Sequence, residues 1–165
     1  MLIKRTTRIH KKITKIRMKV KFKRLRPNAI IPTKAHGDDF CYDCYAVSEE
    51  QIAPNVWKYG LGFALQIETT QASKTSNTFA ITFRPRSSVW KTGMVLSNCI
   101  GTIDQGYTGE ISAVFYHVML NHTRYKVGDK IGQIHLDVSE RMEFESVDEL
   151  DKTERGDNGY GSSGK

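Results

Sequence analysis

An all-β sandwich or barrel is the fold class this sequence predicts, and two observations carry the prediction. Apolar residues recur with period two. Tyr59, Leu61, Phe63, Leu65 and Ile67 fall on one face of KYGLGFALQIETT, and the pattern repeats at Phe79, Ile81, Phe83 and at Ile134, Leu136, Val138. Successive side chains of a strand point to opposite faces, so such alternation marks half-buried strands. The segments are also short and separated by Gly, Asn, Ser or Thr clusters, while long helical periodicity is missing.

The elements follow in chain order. Residues 1–17, MLIKRTTRIHKKITKIR, carry seven basic residues and no Asp or Glu, with Ile9, Ile13 and Ile16 at helical spacing. That pattern suits an organelle-targeting segment, a nucleic-acid or membrane-surface arm, or an extension outside the working domain. Met18 opens the strand-like MKVKFKRL, where the domain is expected to begin. FCYDCYAV reads as a strand too. Its Cys41 and Cys44 form C-x-x-C, but residues three apart in a strand face opposite ways and no second ligand pair lies nearby. Small buried or half-buried thiols are expected there. SEEQIAPN and TTQASKTSN read as surface loops, and the best short helix candidate follows Pro85-Arg86. Ser97 to Tyr107 reads as a β-hairpin relaxed by Gly101 and Gly106.

From about Val147 the character changes. VDELDKTERGDNGYGSSGK has few apolar residues and is glycine-rich, so on its own it is expected to be mobile. Gly159 to Lys165 spells G-x-x-x-x-G-K, most of a P-loop. A P-loop needs a hydroxyl and a helix after its lysine, and this sequence supplies neither. Yet Arg155, Tyr160, Ser162 and Ser163 offer a bidentate phosphate donor, a flat stacking ring and hydroxyls among flexible backbone N–H groups. Such a tail can fold onto a nucleotide.

Composition narrows the function classes. A chain of 165 residues is one domain's worth, and no run of apolar residues is long enough for a transmembrane helix. The net charge is +7, but setting aside the seven basic residues of the leader leaves eighteen basic against eighteen acidic. An electroneutral core argues against a basic nucleic-acid groove, so nucleic-acid binding is left to residues 1–17. Three cysteines and no secretory pattern suit the cytoplasm or an equivalent reducing compartment.

Five stretches then line up in order: FCYDCYAV, PRSSVW, SNCIGTIDQGYTGEI, VGDKIGQI and RGDNGYGSSGK. Together they resemble the five ordered motifs of the trimeric deoxyuridine triphosphatases (dUTPases), over roughly residues 18–165. The resemblance implies a jelly-roll-like β domain over 18–150 and an arm, 151–165, that closes over an active site of a neighbouring subunit in a homotrimer. It implies hydrolysis of dUTP to dUMP and pyrophosphate with Mg²⁺.

Residue by residue, the resemblance implies that Asp104, in its G-x-I-D context, orients a water and accepts its proton. Arg86, Ser87 and Ser88 would hold phosphates, with Gln133 adding an amide. Asn98, Thr102 and Ile103 would read the acceptor–donor–acceptor edge of uracil, in a fit too close for a 5-methyl group. Tyr107 would pack under the deoxyribose and exclude a 2′-hydroxyl. Asp43 would support Mg²⁺ through coordinated waters. On the arm, Arg155 would pair with the γ-phosphate, Tyr160 would stack on uracil, and Ser162 and Ser163 would add donors.

This chain departs from the family pattern in places. Phe40-Cys41 stands for Ala-Gly, Cys44 for Leu, Ser88 for Gly, Lys130 for Arg and Tyr160 for Phe. Tyr160 keeps the stacking face, whereas Phe40-Cys41 brings bulk beside Asp43. Two other readings stay open. One is a dCTP deaminase-like relative on the same fold, which would carry a catalytic Glu near the hairpin. The other is a nucleotide-sensing or nucleic-acid-binding regulator that uses residues 1–17. The five histidines suggest no metal or nucleophile constellation.

Overall fold

The computed structural model describes residues 18–69 and 77–159. The basic leader, most of TTQASKTSN, and Tyr160, Ser162 and Ser163 of the arm lie outside the described residues. The fold is all-β and jelly-roll-like. Ten strands run as β1 Lys19–Arg24, β2 Tyr42–Tyr45, β3 Ser48–Ala53, β4 Val56–Gly60, β5 Phe63–Glu68, β6 Asn77–Pro85, β7 Met94–Leu96, β8 Gly101–Asp104, β9 Ser112–His117 and β10 Lys130–Glu140. A short 3₁₀ element, Ser87–Thr92, occupies the place expected for a short helix after Pro85-Arg86. No helix among the described residues is long and apolar enough to cross a membrane.

Two four-stranded antiparallel sheets, ordered β2-β10-β6-β8 and β3-β4-β9-β7, are joined by the two-stranded β1-β5. One core cluster draws on all three, with Phe63 and Leu65 from β5, Phe79, Ile81 and Phe83 from β6, Phe115 from β9 and Ile134 from β10. Tyr59, Phe115 and Tyr125 meet edge to face inside it, with centroids 5.5–6.3 Å apart, the arrangement that aromatic quadrupoles favour.

The alternation of Tyr59 to Ile67 serves two strands instead of one. Tyr59 through Leu65 are all buried, because the chain crosses here from one sheet to another and is covered on both faces. Gly62 makes the crossing with φ 73°, a left-handed conformation cheap only for glycine, and a Cβ there would press on Val47 and Ala29. SEEQIAPN was expected as a loop but supplies β3, an edge strand. Its ladder to β4 satisfies the backbone, so an exposed edge needs no apolar face. The loop shrinks to Pro54-Asn55, where Asn55 takes φ 59°. The expected 97–107 hairpin keeps only its tip, with Tyr107 N donating to Asp104 O at 2.9 Å. β7 pairs with β9 and β8 with β6, so the segment passes between sheets. At the end of β10 the alternation fades, and Val138 is 57% exposed.

Arg124 ties the loop before β10 to the β3–β4 hairpin. Its guanidinium donates twice to Glu49, at 3.0 Å each, and also to Tyr125 O and Tyr59 Oη, while lying 3.5 Å from the Trp57 ring centroid. The hydrogen bonds from Arg124 hold the Glu49 carboxyl below its ordinary value of 4.5. A lowered carboxylate stabilises the fold above its unfolded-state value, and that gain is lost as pH falls through the folded-state value. Glu49→Gln is therefore expected to cost about 1–3 kcal/mol at pH 7. The wild-type advantage should shrink once the pH drops below 4.5. Denaturant melts of both proteins at the two pH values check this, and an advantage independent of pH would refute it.

Candidate active site

The β6–β10–β2 end of one sheet builds the first cleft. The antiparallel register sets Gln133 of β10 opposite both Asp43 of β2 and Arg84 of β6. Arg86 and Ser87 follow as β6 gives way to the 3₁₀ turn. The resulting cleft, of about 290 Å³, is lined by Asp39, Phe40, Cys41, Asp43, Arg86, Ser87 and Gln133, with Ala35. Four residues singled out for phosphate or metal thus converge from three motifs. Ser88, also expected at the phosphates, sits half-buried in the same turn but outside the lining.

Charge in this cleft is already arranged. Asp43 Oδ2 accepts a hydrogen bond from Lys130 Nζ at 2.8 Å, and Asp43 Oδ1 lies 3.7 Å from Arg86 Nε. The carboxylate beside it holds the Lys130 ammonium above the ordinary lysine range, with Tyr45 contributing.

Sequence reasoning missed what stands behind the cleft wall. His135, 5% exposed, donates from Nε2 to Asp137 Oδ1 at 2.8 Å, and Cys41 Sγ lies 3.8 Å from its Nδ1. Thr82 Oγ1 holds the other oxygen of Asp137, and the hydrogen bond from Thr82 leads the causes that lower the Asp137 carboxyl. Phe40, 73% exposed, packs at a tilt against the His135 ring, with centroids 4.8 Å apart. The bulk of Phe40-Cys41 is thereby accommodated on a buried histidine, with Asp43 still facing the cleft. The available signal was the period of β10, which puts Gln133, His135 and Asp137 on one face.

The second cleft, about 210 Å³, lies at the far edge of the same sheet. Thr102, Ile103, Asp104 and Tyr107 line it with Glu110, Ile111 and Ser112. Thr102 and Asp104 are exposed, Ile103 leans on the core, and Tyr107 Oη donates to Glu110 O at 2.9 Å. Asn98 precedes this strand in an exposed turn, its amide beside Gly101. Arg155 is exposed on the segment after β10, with Nε donating to Asn158 O at 3.0 Å.

The two clefts do not merge within one chain. Asp43 and Asp104 stand on the opposite outer strands of the sheet, and Asp104 is level with Ala80 while Asp43 is level with Arg84. Three strand spacings and four residue rises give about 14 Å in each direction, roughly 20 Å on the diagonal.

A family model described as dUTPase matches residues 27–164. The chain belongs to the dUTPase family. It is 33% identical over 150 residues to the deoxyuridine 5′-triphosphate nucleotidohydrolase of Clostridium novyi, covering 89% of this chain and 99% of that one. Among solved structures, a mutant Staphylococcus bacteriophage 80alpha dUTPase with dUpNHpp superposes with a TM-score of 0.74 at 22% identity, covering 88% and 98% of the two chains. A mutant dUTPase of S. aureus phage phi11, with a coordinated structural Mg(II) ion, gives 0.64 at 19%, covering 81% and 99%. At those identities the structures speak for the fold. Cys44 is a buried core side chain.

The three cysteines are free, and no three His, Cys, Asp or Glu side chains converge on a metal among the described residues. Burial raises the Cys41 thiol and raises Cys44 much further, while Cys99 is exposed. Ellman's reagent is expected to react with Cys99 first, with Cys41 more slowly, and with Cys44 only in denaturant. A Cys44 that reacts in the native protein as fast as Cys99 would contradict this packing.

Proposed function

We propose that this chain is a dUTP diphosphatase, releasing dUMP and pyrophosphate from dUTP. The observation that carries the reading is the first cleft. There Asp43, Arg86, Ser87 and Gln133, from three separate stretches of sequence, converge as a phosphate grip in a chain of the dUTPase family. A guanidinium, a hydroxyl and an amide suit the oxygens of a triphosphate. Asp43 suits a cation that keeps its waters, since a lone carboxylate cannot cage a metal and Mg²⁺ takes its remaining ligands from water and phosphate. When bound, Mg²⁺ supplies charge neutralisation at the phosphate oxygens.

In the second cleft Asp104 holds a water by one oxygen and takes its proton as that water attacks the α-phosphorus in line. Pyrophosphate leaves, and no covalent enzyme intermediate forms. Thr102 and Ile103 present strand backbone to uracil with Asn98, and Tyr107 lies under the sugar. Glu110 shares this cleft but is engaged elsewhere. Its carboxylate accepts from Gly62 N at 3.0 Å and from Arg26 at 3.2 Å. That engagement weighs against a deaminase using Glu110 as its catalytic acid.

A separation of roughly 20 Å between the clefts supports a site assembled from different copies, in a homotrimer. The β domain then spans 18–150 and the arm 151–165. Exposed Met142, Phe144 and Leu150 lead into that arm, with Phe144 at 90%, and suit a strap that lies across a neighbour. Arg155, with Tyr160, Ser162 and Ser163 beyond the described residues, would close over the triphosphate and exclude bulk water.

Pyrophosphate release from dUTP, measured against dTTP, dCTP and UTP with and without Mg²⁺, tests the reading. Fast, dUTP-selective and Mg²⁺-dependent release is expected, with Asp104→Asn lowering kcat by about 10²–10⁴. Absence of release from the intact protein would overturn it. The shared site has its own test. Asp104→Asn and Arg86→Ala chains, each inactive alone, should regain activity when refolded together, at about a quarter of the sites in a random mixture. A mixture as inactive as its parts would mean that each chain uses its own Asp104 and Arg86.

A further inference from the structure

Asp43 is not a carboxylate waiting for a cation. Its side chain is 13% exposed and meets Lys130 on one oxygen and Arg86 near the other. The backbone fixes the first partner. The β10 register shifts between Lys130 and Gly132, so that Lys130 pairs with Tyr45 and Gly132 with Cys44, while Ile131 is fully buried. This irregularity aims Lys130 back across β2, where Nζ sits 5.6 Å from the Tyr45 centroid and 2.8 Å from Asp43 Oδ2. Lys130 and Arg86 thus both stand at the Asp43 carboxylate before any nucleotide arrives. A free divalent ion arriving there meets repulsion from both and finds Asp43 already paired.

A triphosphate changes that balance. It brings oxygens to which a lysine can turn, and an ammonium on a flexible stem has three rotatable donors to turn with. We infer that Lys130 is a positioning residue for the metal, a displaceable counter-ion that keeps Asp43 paired until nucleotide enters. Metal and triphosphate then load together, and the metal does not load first. The inference rests on the reading that the first cleft takes the phosphates and that Asp43 serves a hydrated cation.

The test uses Mn²⁺ as a probe on the full chain without nucleotide, following the paramagnetic resonance signal of the free aquo ion. Lys130→Gln and Lys130→Met are expected to bind Mn²⁺ at least tenfold tighter than wild type. Lys130→Arg, which keeps a cation in place, should bind no better than wild type, and adding Asp43→Asn to Lys130→Gln should abolish the gain. In the same series, dUpNHpp without metal should bind Lys130→Gln several-fold more weakly, because a phosphate partner has been lost. Far-ultraviolet spectra and melting curves confirm that the variants fold. Unchanged Mn²⁺ affinity in a folded Lys130→Gln, beside a wild type that hydrolyses dUTP with Mg²⁺, would overturn the counter-ion role alone. A wild type without Mg²⁺-dependent hydrolysis would overturn the reading of the cleft and this inference with it.

Discussion

The β6–β10 ladder is the constraint on which the rest of the molecule depends. Its register runs unbroken from Gly132 opposite Pro85 to Glu140 opposite Asn77. A strand sorts its side chains by parity, so this register sends Ile134 with Phe79, Ile81 and Phe83 into the core. The same parity sends Gln133, His135 and Asp137 to the other face, opposite Arg84, Thr82 and Ala80. A slip of one residue would exchange the two sets. Gly132 helps forbid it, because a Cβ at that position would overlap the Phe83 ring. Core packing and the placing of Gln133 in the first cleft are therefore settled by one choice of register.

The same sheet explains why the polar groups divide into two clefts. Four strands in the order β2-β10-β6-β8 put the metal and phosphate candidates near one edge and the base and water candidates near the other. Between them runs the Cys41–His135–Asp137–Thr82 chain of contacts, which ties the first motif to the central pair of strands. A buried histidine fixed on both nitrogens gives Phe40 a firm surface to pack against. The wall of the first cleft is thus aromatic and well supported.

Much of this was legible in the sequence, for physical reasons that differ by element. Phe79, Ile81 and Phe83 alternate because one face of a central strand is buried, and period two states that directly. The turn after Pro85-Arg86 was legible because proline fixes the backbone before it. β3 was not, since an edge strand draws its stability from a neighbour's hydrogen bonds and SEEQI reads as polar surface. The crossing at Leu61-Gly62 hid inside a continuous alternation, because a chain covered on both faces still shows apolar residues at every second place. Candidate residues that line the first and second clefts were legible through their ordered motifs. Their partition was not, nor were the pairings of Lys130 with Asp43 and Cys41 with His135, which join residues 87 and 94 positions apart.

The distance between the clefts also has a genetic meaning. On the shared-site reading, each chain lends its two halves to different sites, so a copy with one lesion still completes the site that takes its other half. In a cell carrying both an intact and a damaged allele, output would fall only in proportion to the damaged chains. Two alleles, one damaged at Arg86 and one at Asp104, would then complement each other at about a quarter of the sites, a pattern of inheritance written into the width of a four-stranded sheet.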